Sequence, residues 1–186
     1  MKDYGAVTLW FTGLPCSGKT TIAEIVKAQL ERRDVRVELL DGAEIRKHFS
    51  AGVGFSKEDR SNHLKRVAYL CHLLSKHGVV VLASFVSPYR ANRDYARGLM
   101  GERFIEIFVD TALEECIRRD VKGMYKKALA GEIKEFTGIS DPYEPPLQAE
   151  LVIRAAQETP QESARRVSEL LNGRLGGAAC CAGATA

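Results

Sequence analysis

The sequence VTLWFTGLPCSGKTT, residues 7–21, decides the fold of this chain. It opens with β-branched, aliphatic and aromatic residues, a composition that is typical of a buried β-strand. The strand ends at Gly13, where GLPCSGKT matches the P-loop pattern G-x-x-x-x-G-K-S/T. Glycines allow backbone N–H groups to surround a phosphate, and the helix that follows points the positive end of its dipole at the same anion. The stretch therefore predicts a strand, a loop and a helix that together bind a nucleoside triphosphate.

Individual side chains of this loop have distinct expected roles. Lys19 can reach the β- and γ-phosphates, which makes it a predicted catalytic residue, and the hydroxyl of Thr20 can ligate Mg²⁺. Cys16 is either a thiol that is sensitive to alkylation or a small residue that the loop tolerates. The predicted nucleotide-binding residues here are Gly13, Leu14, Pro15, Cys16, Ser17, Gly18, Lys19, Thr20 and Thr21.

Bulk composition narrows the class of protein. The chain has 186 residues and 45% hydrophobic content, which suits one domain with a sizeable core. A net charge of +3 is too small to indicate nucleic acid or a membrane as a general partner. No apolar run reaches the ~18 residues of a membrane span, and residues 1–4 lack the pattern of a signal peptide. Five cysteines without metal-like spacing fit reduced thiols, so we expect a cytoplasmic protein.

Strand patterns alternate with helical patterns along the rest of the chain. The further predicted strands are 35–40, 79–86, 104–109 and 151–153, and the predicted helices are 20–32, 43–49, 61–77, 93–99, 113–119, 122–131 and 160–171. The segment 132–146 is rich in breakers and predicts an ordered loop or lid. We predict an α/β fold, a doubly wound parallel sheet of five strands with the architecture of a P-loop kinase. Residues 1–172 would form this domain, and 173–186 a low-complexity tail or linker.

A carboxylate follows the second predicted strand. Asp41 stands at the carboxyl end of that strand, the edge at which open α/β sheets bind ligands. We therefore assign Asp41 as a candidate catalytic and substrate-binding residue, either a general base or an outer-sphere partner of the metal.

Several motifs together resemble the adenylylsulfate kinases (APS kinases), over about residues 7–171. They are the P-loop, LDG at 40–42, GFSKEDR at 54–60, SPYR at 87–90, RDVKGMYKKALAGEIKEFTGI at 119–139 and DPYEPP at 141–146. The resemblance implies transfer of the γ-phosphate of ATP, with Mg²⁺, to the 3′-hydroxyl of adenosine 5′-phosphosulfate (APS). The products would be ADP and PAPS, the activated sulfate used in sulfate assimilation. It also implies a homodimer, with ATP sulfurylase as a functional partner.

The resemblance assigns an acceptor site. It implies that Phe55 and Phe136 clamp the APS adenine, and that Arg46 and Arg60 hold the phosphosulfate, an anion that suits the planar arginine fork. The alternative for the phenylalanines is that each pins its loop to the core, and for the arginines that they are solvated. Lys122 matches a family lysine near the substrate, or is a solvated surface lysine.

Two further segments carry implied site residues. Ser87 corresponds to a serine described in the family as a phosphoserine intermediate, although in-line transfer needs positioning and charge neutralisation rather than a covalent stop. We therefore favour hydrogen bonding of the substrate by Ser87, with Pro88 and Tyr89 as neighbouring substrate contacts; the alternative for Tyr89 is that it only anchors its loop. Arg119 resembles the family arginine near the ATP base and phosphates, or forms a surface pair.

Two positions depart from the family pattern. Ala43 stands where the family usually has a second aspartate, and His63 stands where it usually has asparagine. We expect His63 to contact substrate through a ring nitrogen and to introduce pH dependence near ~6.5, unless it is a partly exposed helix histidine. Two alternatives stay open: a kinase for another nucleotide 3′-hydroxyl, and a weakly active nucleotide-binding module that regulates a partner.

Overall fold

The computed structural model describes residues 6–49, 52 and 54–178. The strands are β1 (Thr8–Thr12), β2 (Val37–Asp41), β3 (Val80–Ser84), β4 (Phe104–Asp110) and β5 (Leu151–Arg154). The helices are α1 (Lys19–Glu31), α2 (Gly42–Phe49), α3 (Lys57–Lys76), α4 (Arg90–Met100), α5 (Leu113–Arg119), α6 (Met124–Leu129) and α7 (Pro160–Ala178). None of these helices is long and apolar enough to cross a membrane.

The five strands form one parallel sheet in the order β2-β3-β1-β4-β5. The predicted doubly wound parallel sheet is therefore confirmed. β1 lies at the centre, and the chain turns outward in opposite directions on its two sides, which makes its carboxyl end the topological switch point. Every residue of β1 and of β3 is buried. Burial on both faces explains why these strands are nearly continuous apolar runs in the sequence.

Successive residues of the central strand point to opposite faces of the sheet and enter two different cores. Leu9 and Phe11 pack with α1 and α7, whereas Trp10 packs with α3 and α4. The first core includes Val26, Leu30, Leu82, Ile105, Ile107, Val167 and Leu171. The second includes Leu64, Val67, Cys71, Ala83, Ala96 and Phe104. Burial of each large apolar side chain stabilises the folded state by about 1.5–3 kcal/mol. The two cores therefore fix the position of the strands and of the sheet edge at which they end.

The start of one helix differs from the sequence prediction because a residue far away in the sequence forms a hydrogen bond with it. α4 begins at Arg90 rather than at residue 93, because the carboxylate of Glu144 accepts a hydrogen bond from the Arg90 N–H at 2.8 Å. Side chains cap two helices at their N-termini: Ser56 accepts from Asp59 N–H, and Thr159 accepts from Glu162 N–H.

The end of the chain extends further than predicted. α7 continues to Ala178, past the predicted end at residue 171. The remaining residues of the predicted tail, 179–186, lie outside the described residues, as do residues 1–5, where the lack of a signal peptide was predicted.

Candidate active site

The loop between β1 and α1 needs glycine at both of its pattern positions. Gly13 has φ 148°, and a Cβ there would lie 2.5 Å from the carbonyl oxygen of Val109. Gly18 has φ 105° at the start of α1. Since L side chains rarely adopt these angles, the two glycines fix the backbone of a phosphate-binding loop at the switch point.

Lys19 turns its ammonium back into this loop. The Nζ donates to the carbonyl oxygens of Gly13 at 3.0 Å and Leu14 at 2.6 Å, and to Ser17 Oγ at 3.3 Å. Burial lowers the pKa of Lys19 to about 8. The amine is therefore still mostly protonated at neutral pH, and its positive charge lies where the motif places a bound phosphate.

Three oxygen-bearing side chains meet beside Lys19 at the carboxyl edge of the sheet. Thr20 Oγ1 donates to Asp41 Oδ2 at 2.9 Å and lies 2.9 Å from Ser84 Oγ. Because the single Thr20 proton goes to Asp41, Ser84 donates to Thr20. The other Asp41 oxygen accepts from the N–H groups of Ala43 and Glu44, which begin α2. The structure therefore brings the predicted Thr20 and Asp41 together.

Ser84 was missed by the sequence analysis. It lies at the last position of β3, inside an apolar run that showed only a buried strand. Its position at a strand end, equivalent to that of Asp41 in the neighbouring strand, is the signal that could have identified it.

Arg119 lies beside the P-loop, as the resemblance implied. Its guanidinium donates to Glu115 at 2.7 Å, to the Ser17 carbonyl at 3.4 Å and to the Ala155 carbonyl at 3.3 Å. This cation therefore faces the predicted nucleotide loop from α5. Lys122, in contrast, is exposed beyond the end of that helix.

The two predicted clamp residues have different surroundings. Phe55 is 58% exposed, and the Arg46 guanidinium lies 4.0 Å from its ring centroid. An exposed ring does not pin its loop to the core, so that alternative is wrong for Phe55. Phe136 is only 8% exposed and packs edge-on against Tyr125, with ring centroids 5.0 Å apart. The structure therefore does not form a clamp of two exposed rings, because Phe136 fills a small apolar cluster with Cys116 and Tyr125.

Arg60 joins the start of α3 to the loop at 132–146. It donates to the Phe55 carbonyl at 2.6 Å, to Thr137 Oγ1 at 2.6 Å and to the carbonyl of Glu135. The alternative that Arg60 is a solvated surface arginine is therefore wrong. The predicted acceptor residues of these two segments lie together around one guanidinium.

The hydroxyl of Ser87 does not face the site. It is buried, accepts from Trp10 Nε1 at 3.0 Å and donates to Thr12 Oγ1 at 3.0 Å. A nucleophile or a substrate contact needs an accessible oxygen, so the structure corrects the predicted side-chain role and disfavours a phosphoserine at Ser87.

The backbone that follows Ser87 is held against the segment DPYEPP. Pro88 accepts from Glu144 N–H at 2.8 Å, and Arg93 donates to the carbonyls of Ser87 at 2.5 Å and Glu144 at 2.6 Å. The loop at 132–146 is therefore anchored at its second half rather than free to swing as a whole.

His63 is a buried side chain of α3. It is 5% exposed, and its ring centroid lies 6.0 Å from that of Phe85. Burial, together with the charges of Arg46 and Arg66, lowers the pKa of His63 to about 4. The alternative of a partly exposed histidine is therefore wrong, and the lowered pKa does not support the predicted pH dependence near 6.5.

Comparison with known sequences identifies a protein family that matches this chain. The family model described as adenylylsulphate kinase matches residues 5–154. The probable adenylyl-sulfate kinase of Pseudomonas aeruginosa is 50% identical over 167 residues, which cover 90% of this chain and 78% of the relative. The adenylyl-sulfate kinase of Gloeothece citriformis is 48% identical over 172 residues, which cover 92% of this chain and 97% of the relative.

Comparison with solved structures agrees. The APS kinase of Mycobacterium tuberculosis, solved in complex with AMPPNP and APS, superposes with a TM-score of 0.87 at 39% identity. The match covers 90% of this chain and 98% of that one.

Proposed function

The chain belongs to the adenylylsulphate kinase family, and on that premise we propose the reaction and the residues that carry it. It transfers the γ-phosphate of ATP to the 3′-hydroxyl of APS and releases PAPS and ADP. The observation that carries the function is the placement of the P-loop and the acceptor residues at the same edge of the sheet. A phosphate donor and a nucleotide acceptor bound there would meet at the switch point.

We propose that Lys19 and the loop residues 13–21 bind the phosphates of ATP. The buried ammonium of Lys19 would exchange its loop carbonyls for phosphate oxygens, which are stronger, charged acceptors. Arg119 would contribute a second positive charge from α5. Phosphoryl transfer depends on such positioning and charge neutralisation, which assigns Lys19 its catalytic role.

Mg²⁺ is the metal that this site fits. Thr20, Asp41 and Ser84 offer oxygen atoms only, the type of donor that magnesium prefers. Among the described residues, no group of three or more His, Cys, Asp or Glu side chains forms a metal centre. A magnesium ion that arrives with ATP and takes Thr20 as its protein ligand agrees with this donor set. When bound, it would neutralise charge on the transferred phosphate.

The hydrogen bonds of Asp41 favour one of its two predicted roles. One oxygen accepts from Thr20 and the other from the first N–H groups of α2. A carboxylate held in this way orients the metal ligand Thr20 as an outer-sphere partner. We therefore assign Asp41 to metal positioning rather than to proton abstraction.

On the acceptor side we propose that Phe55 stacks on the adenine of APS. Stacking of a base on an aromatic ring is worth about 1–3 kcal/mol, and Phe55 is the exposed ring of the two that the resemblance marked. Arg46 and Arg60 would bind the phosphosulfate, since both guanidiniums lie next to the Phe55 segment. Phe136 would support the site from the core behind it.

The wider setting is also a proposal. We infer a homodimeric cytoplasmic enzyme that receives APS from ATP sulfurylase, with residues 1–172 as the catalytic domain. Light scattering during size-exclusion chromatography would test the dimer, because a monomer at micromolar concentration contradicts it.

A coupled ADP-release assay tests the reaction. We expect turnover of ~1–100 s⁻¹ that requires APS and Mg²⁺ together. The variant Lys19→Ala should lose this turnover, whereas Lys27→Ala, which changes a half-exposed lysine of the same helix paired only with Glu31 among the ion pairs of the described residues, should keep it. Equal turnover with another nucleotide acceptor at the same concentration would contradict APS specificity. No APS-dependent ADP release by the wild-type chain would favour the regulatory module instead.

A further inference from the structure

Asp141 connects two segments of the acceptor site through one carboxylate. The hydroxyl of Tyr89 donates to this carboxylate, 2.8 Å from one oxygen and 3.0 Å from the other. The Arg60 guanidinium lies 3.6 Å from the second oxygen. Neither the composition of DPYEPP nor the motif match indicated that Asp141 meets both Arg60 and Tyr89.

The backbone of Asp141 closes the loop that carries Phe136. Asp141 N–H donates to the Phe136 carbonyl at 3.1 Å, and the Asp141 carbonyl accepts from Gly138 N–H at 2.8 Å. Thr137, which accepts from Arg60, pairs with Asp141 in an isolated parallel bridge. The carboxylate therefore projects from a closed turn, so its position relative to Arg60 is defined.

The surroundings keep this contact strong. The side chains of Arg60 and Asp141 are mostly buried, so water screens their attraction less than at an open surface. Burial and the hydrogen bond to Asp141 raise the pKa of Tyr89 to about 12, so its phenol remains a donor at working pH. Lys57 lies over the Tyr89 ring at 5.1 Å and adds another positive charge nearby.

The remaining contacts of Arg60 are made to neutral oxygens. They are the Phe55 and Glu135 carbonyls and the Thr137 hydroxyl. These contacts remain when the charge at position 141 is removed, so the loop should still close, but it should open more readily because the guanidinium loses its anionic partner.

We propose that Asp141 is a positioning residue that orients Arg60 and the Tyr89 segment for the phosphosulfate of APS. This inference rests on the proposed function. Because Lys19 and Thr20 contact neither Asp141 nor Tyr89 in the described contacts, we expect Asp141 to act mainly on APS binding.

Steady-state kinetics of Asp141→Asn test the proposal. We expect KM for APS to rise about tenfold, the loss expected for one charge-assisted hydrogen-bonded contact, with KM for ATP and kcat within about twofold of wild type. Tyr89→Phe should raise KM for APS less. The double variant should be no worse than Asp141→Asn, because both changes act through one carboxylate. Asp141→Glu should recover part of the loss. Glu162→Gln, a carboxylate-to-amide change in the cap of α7, should leave all three constants unchanged.

Hydrogen exchange of the free protein supplies a readout that is independent of turnover. Asp141→Asn should accelerate exchange of the Gly138–Asp141 amides, whose acceptors lie within the turn. Unchanged exchange together with unchanged KM for APS would overturn the proposal, as would equal rises in both KM values. A wild-type chain that releases no ADP with APS would refute the proposed function, while faster exchange would still support Asp141 as the residue that orders this loop.

Discussion

Lowering the pH from neutral towards 4 should destabilise this protein through His63. The ring is buried on α3 against Phe85, and Arg46 and Arg66 add unfavourable positive charge. Its pKa is about 4 in the folded chain, compared with the ordinary value of 6.5. The unfolded chain therefore takes up a proton below pH 6.5 that the folded chain does not accept until about pH 4. The contribution to stability is complete above 6.5 and is lost as the pH falls through this window.

The size of the loss follows from the pKa difference. One pKa unit is worth 1.36 kcal/mol, so the free energy of unfolding should fall by about 1.4 kcal/mol at pH 5.5 and by about 2.5 kcal/mol at pH 4.5. Urea unfolding of wild type and His63→Asn at pH 7.5, 6.5, 5.5 and 4.5 measures it. Asparagine is polar and does not titrate. The difference between the two curves thus separates His63 from the carboxylates, which titrate in both proteins.

The outcome that would refute this reasoning is a difference between the two proteins that stays constant over the four pH values. It would mean that the histidine is solvated enough to titrate near its ordinary pKa. The low pKa of His63 also predicts that KM for APS shows no step near pH 6.5 that depends on His63. Wild type and His63→Asn should therefore have the same pH profile of KM in this range.

Three further predictions concern the metal site and the buried ion pair. Ala43→Asp places a second carboxylate at the exposed start of α2, next to Asp41, and should raise kcat at limiting Mg²⁺ about tenfold, the lower end of the effect of residues that orient metal ligands; an unchanged Mg²⁺ titration would show that this aspartate is dispensable. Ser84→Ala removes the hydrogen bond to Thr20 and should raise the Mg²⁺ concentration for half-maximal rate about tenfold. Glu106→Gln removes the charge that faces the buried Arg93 at 2.7 Å and should cost about 3–5 kcal/mol in urea unfolding.

Local patterns predicted the framework of this protein. The P-loop motif, the apolar run of β1 and the pattern of each further strand and helix can each be recognised from a short stretch of neighbouring residues. Together these patterns specify a doubly wound sheet. Asp41 was also predictable, because a polar residue at the carboxyl end of a parallel strand lies at the ligand edge.

Contacts between distant segments could not be predicted in the same way. The start of α4 depends on Glu144, which is 54 residues away, and the role of Asp141 depends on Tyr89, 52 residues away. Phe136 is flanked by polar residues and glycine, so its local sequence indicated an exposed ring. Its burial depends on Tyr125, a side chain whose position is fixed by the packing of α6.

The loop at 132–146 connects the donor and acceptor halves of the site. Phe136 packs on Tyr125, whose hydroxyl donates to the Pro15 carbonyl of the P-loop at 3.1 Å. At the other end of the loop, Tyr143 lies 2.9 Å from Thr12 Oγ1, at the end of β1. The loop is therefore attached on both sides of Gly13. A shift of Phe136 or Tyr143 reaches the phosphate-binding loop through side chains in direct contact.

Backbone strain is concentrated at this site. Of the four non-glycine residues with positive φ in the described part of the chain, Asp34 lies elsewhere, and Cys16, Ser87 and Glu135 lie here with φ values of 60°, 39° and 53°, in the left-handed region that costs L residues about 1–2 kcal/mol each. They lie in the P-loop, the SPYR segment and the loop at 132–146, the three segments around the proposed nucleotide sites. Hydrogen bonds hold two of them in place: Trp10 donates to Ser87 Oγ, and Arg60 donates to the Glu135 carbonyl. Conformations that local preference disfavours persist where tertiary contacts fix them, and here those contacts include the arginine proposed to bind the phosphosulfate.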